Sequence, residues 1–170
     1  MTDQVIKTIK DDFRKYLQEE SFHRVKKCLK LLNEKEVWHK PNANSNSMGT
    51  IVVHLMGNIT QYIHSALGNE DDTRDRDTEF LNNQGFTKEE LTEKFGVVVS
   101  KACEIVDGLT LTQITENYSV QGFQMSGLSI ITHVIEHCSY HVGQITYYTK
   151  LAKDIDTGYY DGLDLTQLNE

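Results

Sequence analysis

A single proline, three cysteines, few clustered cations and no long apolar run mark what this 170-residue chain has least of. With only Pro41 to break them, helices can run long, and no extended Val/Ile alternation calls for a sheet. Cys28, Cys103 and Cys138 are odd in number and form no C-x-x-C pair, which argues against a disulfide framework and against a zinc ribbon. No stretch approaches the ~20 apolar residues that span a bilayer. Met1-Thr-Asp-Gln also lacks the basic and apolar regions of an export signal, so a soluble, cytoplasmic protein without a membrane partner is expected. The net charge is −8, and only Lys26, Lys27 and Lys30 gather, on what reads as a solvated face. Nonspecific nucleic-acid binding draws on clustered Lys and Arg, so no nucleic-acid partner is expected either.

What the chain does have is helical periodicity. Val5, Ile9, Phe13, Leu17, Val25, Cys28, Leu29 and Leu32 recur at helical intervals over about residues 2–32, up to the Trp38-His-Lys-Pro41 break and a polar Asn/Ser run. Ser47 is a plausible N-cap for a second helix over 48–67, with Ile51, Val52, Leu55, Ile59 and Ile63 inward and His54, Asn58 and Gln61 on a neighbouring face. Gly68-Asn69 supplies a stop, and the highly charged 70–86 segment reads as a crossover with room for a short helical turn. Thr87 with Glu90 has the pattern of a capping box and opens a third helix that ends at Gly108. Residues 108–126 either pack over the helices or pair briefly as strand. A fourth helix follows over 127–153, apolar along Leu128, Ile131, Ile135, Cys138, Val142 and Ile145. The expectation is an all-α four-helix bundle with a long crossover between helices two and three, a single domain over 1–153 and a C-terminal tail over 154–170.

The densest chemistry lies in His133-Val-Ile-Glu-His137-Cys-Ser-Tyr-His141-Val-Gly-Gln144. Steps of four residues drift only about 40° around a helix, so His133, His137 and His141 share one strip beside the apolar stripe. Neutral imidazole is the commonest metal ligand among side chains, and two of them one turn apart can grip one ion. The second helix offers His54 as a third ligand, with Asn58 one turn beyond it; Gln144 and His133 are candidates for the surrounding shell. An i, i+4 histidine pair also arises on amphipathic faces by accident. His23, His39 and His64 read as ordinary histidines satisfied by backbone carbonyls or water.

The phrase His137-x-x-x-His141-x-Gly143-Gln144-Ile145 resembles the signature of the last helix in the DinB/YfiT-like metalloenzymes. Trp38-x-x-Pro41 with Asn44-Ser-Asn-Ser47, His54-Leu-x-Gly-Asn58 and Arg74-Asp-Arg-Asp77-x-Glu79-Phe80 resemble a DinB-related subfamily of uncharacterised function, over nearly the whole chain. That resemblance implies a four-helix bundle, a homodimer, and a divalent ion, zinc or nickel foremost, held by His54, His137 and His141. It further implies a small-molecule substrate, with a low-molecular-weight thiol as one partner.

Two enzyme readings and one other follow. In a thiol S-transferase the ion lowers a thiol's pKa; in a metal-dependent hydrolase it activates water and needs a nearby base. Asp75, Asp77 and Glu79 can serve as that base only if the crossover folds over the site, whereas Glu136 points about 100° away from His137. Arg74 and Arg76 belong either to a surface ion-pair network or to an anionic substrate group. The remaining reading is a metal-binding or sensing module without catalysis.

Overall fold

Residues 2–31 form one unbroken helical run in the computed structural model, which describes residues 2–81 and 85–169. The run consists of α1 (Thr2–Arg14), a π-helical segment (Lys15–Phe22) and α2 (His23–Leu31). Phe13, Leu17, Ser21 and Val25 are its buried positions through this region. A spacing of four drifts by about 40° per step in an α-helix, and the wider π turn takes up that drift, holding all four on one face. Leu32 then turns extended, and Asn33 with Glu36 forms a capping box for the short α3 (Glu34–Val37).

Ser47 caps α4 (Met48–Ile59), its hydroxyl accepting from the Thr50 amide at 3.2 Å. The helix continues as a π-helical segment, Thr60–Ser65, and the chain leaves it through Asn69 at φ 59°. Within the crossover, Asp75 caps the single turn α5 (Arg76–Glu79). Residues 82–84 of that crossover, and the terminal residues 1 and 170, lie outside the described residues. The Thr87–Glu90 capping box then opens α6 (Lys88–Gly108), as its sequence signature indicates.

The 108–126 connection contains both a packed turn and a paired strand. A further capping box, Thr110 with Gln113, starts α7 (Leu111–Thr115), and an antiparallel hairpin follows, β1 (Asn117–Val120) with β2 (Phe123–Ser126). Gln121 and Gly122, both at positive φ, make its two-residue turn and set Tyr118 opposite Met125. Finally α8 (Gly127–Lys153) runs to Asp154, which sits in the left-handed region at φ 50°.

The long helical runs share one core. α4 packs against α6 and α8, α2 against α8, and α1 against α6. Phe13, Leu17, Leu55, Ile59, Phe95, Val99, Ile130 and Val134 are all completely buried there. One position of the expected α8 stripe is corrected: Leu128, in the first turn, is 42% exposed, and Ile130 takes its place in the core. The three cysteines are buried and free. Beyond Asp154 the chain turns back, burying Thr157 and setting the Tyr159 hydroxyl 3.1 Å from Cys28 Sγ and 2.9 Å from Thr146 Oγ1. Among the described residues no helix is long and apolar enough to cross a membrane.

Candidate metal centre

Where α4 faces α8, three imidazoles meet. His54 comes from the middle of α4, and His137 and His141 come from successive turns of α8. Ring centroids lie 5.0 Å (His54–His137), 5.2 Å (His54–His141) and 4.6 Å (His137–His141) apart, each pair nearly perpendicular. One nitrogen from each ring falls within 4.8 Å of the other two, and this group could hold a metal ion. His54 Nε2 and His137 Nε2 are 3.2 Å apart, close to the roughly 3.4 Å separating two nitrogens bound tetrahedrally to one zinc.

Neighbouring groups fix which nitrogens are free to coordinate. A carboxylate only accepts, so the 2.8 Å contact between His54 Nδ1 and Glu79 Oε2 places the proton on Nδ1 and leaves Nε2 with its lone pair toward His137. Likewise Gln144 Oε1 accepts from His141 Nδ1 at 3.2 Å, leaving that ring's Nε2 free. His137 Nδ1 is buried and has no hydrogen-bond partner among the described residues. Burial, and then the neighbouring His141, His54 and His133 rings, hold the His137 pKa down to about 3; burial also lowers that of His141. Both therefore stay neutral at physiological pH, the form that binds metal. Three convergent imidazoles, two of them held from behind, are the donor set a divalent ion requires.

Glu79 sits behind His54 with 5% exposure, and the Arg74 side chain is 3% exposed. Arg74 Nε donates to Glu79 Oε1 at 2.6 Å and Nη2 to Oε2 at 2.9 Å, a bidentate pair, while Nη1 donates to Gln61 Oε1 at 2.9 Å. Nη2 also lies 3.3 Å from His54 Nδ1, but a protonated Nδ1 offers it nothing to accept with, so the carboxylate is its partner. Burial works to raise the Glu79 pKa; the bonds from Arg74 and His54 outweigh it and keep the group below the usual carboxylate range. Phe80 closes one side of the His54 ring at 5.1 Å, and the Arg76 guanidinium lies 4.9 Å above the Phe80 ring.

These placements revise several expectations. Arg74 belongs to a buried ion pair, and the crossover does fold over the site, yet Glu79 is engaged by two donors and is no free base. Asp75 is occupied as the cap of α5, and Asp77 is exposed. His133 lies outside the triad, stacked between Tyr62 (4.5 Å) and His137 (5.5 Å) as a wall of the cluster. Asn58 is buried, and its Oδ1 has no hydrogen-bond partner among the described residues. His64 follows its ordinary reading, donating from Nε2 to the Val98 carbonyl at 3.0 Å. Sequence reasoning missed Tyr62 and the clamp of Arg74 on Glu79; the nearest local signal was Gly57, three residues past His54 and opposite that carboxylate.

A groove of about 590 Å³ opens beside His141, lined also by Asn42, Asn44, Tyr140, Gln144 and Tyr147. A cavity of similar volume near Glu34, Lys40 and Phe86 includes none of the triad.

Solved structures share the fold on which this site is built. The chain is similar to a DinB-like protein from Bacillus cereus, 17% identical, TM-score 0.63, over 81% of this chain and 90% of that one. It is also similar to a DinB-like protein from Bacillus subtilis, 16% identical, TM-score 0.65, over 88% and 94%. At such identities the likeness concerns the fold. No curated protein matches the chain. Residues 1–163, including the start of the tail, match the family described as "Protein of unknown function (DUF1572)", and the chain belongs to that family, on a DinB-like helical fold.

Proposed function

We propose that His54, His137 and His141 bind one divalent metal ion, zinc or nickel, and that the protein is a metal-dependent enzyme acting on a small molecule in the groove beside His141. The observation that carries this reading is the convergence of three imidazole nitrogens from two helices within 4.8 Å. Three neutral nitrogens suit zinc, nickel, cobalt and iron alike, so ion content has to be measured. When bound, such an ion supplies Lewis acidity that lowers the pKa of a thiol or water and polarises a substrate oxygen.

The chain's own residues favour thiol transfer over hydrolysis. Water attack needs a base, and Glu79, the carboxylate bonded to the triad, is held by Arg74 and His54. A thiol, far more acidic than water to begin with, reaches its anionic form with less help from a base. His54 and His141 present their Nε2 atoms because Glu79 and Gln144 occupy their Nδ1 protons, while Tyr140, Tyr147, Asn42 and Asn44 offer ring faces and amides to the body of a substrate. A homodimer is part of this proposal, and light scattering on purified protein tests it.

Ion content measured by mass spectrometry on protein made without a histidine tag is expected to be one zinc or nickel per chain. His141→Ala should remove most of it while the helical circular dichroism stays. Full ion content in that variant would sink the assignment. Offered 2-mercaptoethanol and 1-chloro-2,4-dinitrobenzene, the loaded protein should show turnover that chelation abolishes and one metal restores. Turnover confined to ester or amide substrates selects the hydrolase. Ion uptake without turnover on either panel selects a sensing module, the second reading, to which the bond between His54 and the crossover lends support.

A further inference from the structure

Among the described residues the crossover meets the candidate ligands at His54, and the contact is a built one. Residues 70–78 are mostly exposed, but Glu79 is buried, and its carboxylate receives three hydrogen bonds: one from His54 Nδ1 and two from Arg74. Arg74 reaches back to Gln61 in the π-helical continuation of α4, so the segment is tied to that helical run at Gln61 as well as at the imidazole. The backbone of α4 is shaped for it. A Cβ on Gly57 would stand 1.9 Å from Glu79 Oε1 and 3.1 Å from Arg74 Nε, so any larger residue there displaces the carboxylate from its present place against His54. A buried carboxylate on the far nitrogen of a ligating imidazole fixes its tautomer and orientation and strengthens it as a donor.

We infer that Arg74 and Glu79 are positioning residues for His54, and that ion binding and docking of the 72–81 segment are one linked equilibrium. This rests on the metal reading and deepens it. With the segment docked, His54 presents a lone pair from Nε2; with it undocked, the ring loses the bond that keeps its proton on Nδ1. An ion that binds the docked arrangement more tightly must, by the same factor, favour docking. The crossover is then a strap that reports occupancy of the site on the protein surface.

Zinc affinity, measured by competition against a chromophoric chelator, tests this together with amide hydrogen exchange over residues 72–81. Glu79→Gln is expected to weaken zinc binding about 10–100-fold. Gly57→Ala should do the same while leaving every ligand, Arg74 and Glu79 chemically intact, and alanine suits a helix interior, so its circular dichroism should match the parent's. In the parent, zinc should slow exchange across 72–81; in Gly57→Ala it should not. A folded Gly57→Ala protein that binds zinc as tightly as the parent, with the same zinc-dependent protection of the segment, overturns the inference even if Glu79→Gln fails to fold. A parent that takes up no zinc or nickel at all sinks the metal reading itself, and this inference with it.

Discussion

Two of the long connections between the helices, the crossover after α4 and the 109–126 stretch, are held down by opposite chemistry. The 109–126 connection behaves like a small piece of core. Leu109, Ile114 and Val120 are buried, its helical turn has a capping box, and its hairpin closes its own backbone bonds. The crossover after α4 buries little apolar surface; Leu81 is 62% exposed. Its hold is polar: Glu79 and Arg74 on His54, with Trp38 Nε1 donating to the Phe86 carbonyl at 3.1 Å near its end. Apolar packing is indifferent to whether a metal is bound, because it contains no group that an ion or a proton can address. A docking made of charges and an imidazole responds to both. The difference separates a connection that serves stability from one that the site can govern.

The largest effect should come from acid, through the helices that both connections join. His64, His133, His137 and His141 all have lowered pKa values, with burial the largest cause in each, and all four lie in the α4 and α8 runs. An unfolded histidine takes up a proton near pH 6.5. The folded rings refuse it until lower pH, so the unfolded state binds more protons across that interval and stability falls as pH falls. The contribution is whole above about pH 6.5 and, for His137, is lost progressively down to about pH 3. Ion-free protein should therefore show urea midpoints that drop steadily between about pH 6.5 and 5, where most carboxylates are still ionised. A flat midpoint over that interval would contradict the burial assigned to the four rings. Next in size is Arg74→Met, which leaves Glu79 buried without its cation and should cost about 3–5 kcal/mol by urea unfolding. Zinc affinity should fall in the same variant, because the carboxylate behind His54 loses its anchor.

How much of the molecule is legible in its sequence follows from how local each signal is. The helices are readable because apolar spacing and caps such as Ser47 and Thr87 with Glu90 act within a turn or two. His137 and His141 are readable together for the same reason, one helical turn apart, whereas His54 is only one candidate offered by another helix until a resemblance spanning the chain joins it to them. The π-helical segments are invisible, since the same leucines and isoleucines satisfy either pitch. A four-residue strand alternates too briefly to declare itself, so Tyr118 and Phe123 do not distinguish a hairpin from a packed loop. The roles of Arg74 and Glu79 are hidden most deeply. A charged segment reads as solvated until its partner is known, and that partner is a ring on another helix, 25 residues from Glu79. Leu128 misleads for the complementary reason: periodicity names a face, and burial at a helix end depends on what lies alongside.

The smallest effect comes from the apolar connection, and its value lies in what should not change. Ile114→Val removes one methylene from a residue 2% exposed and keeps the β-branched shape, so about 0.5–1.5 kcal/mol of stability should be lost. Ile114 lies in α7, which packs on α8 with the Ile114 backbone against Gly127, ten residues before His137. Zinc affinity and zinc-dependent protection of residues 72–81 should both equal the parent's. If instead this variant weakened zinc binding as much as Gly57→Ala, coupling would run through general stability, and the polar strap would lose its distinction from the packed hairpin. Equal affinities at unequal stabilities would locate the linkage in the hydrogen bonds among Arg74, Glu79 and His54, because those are the contacts Ile114→Val leaves alone and Gly57→Ala displaces.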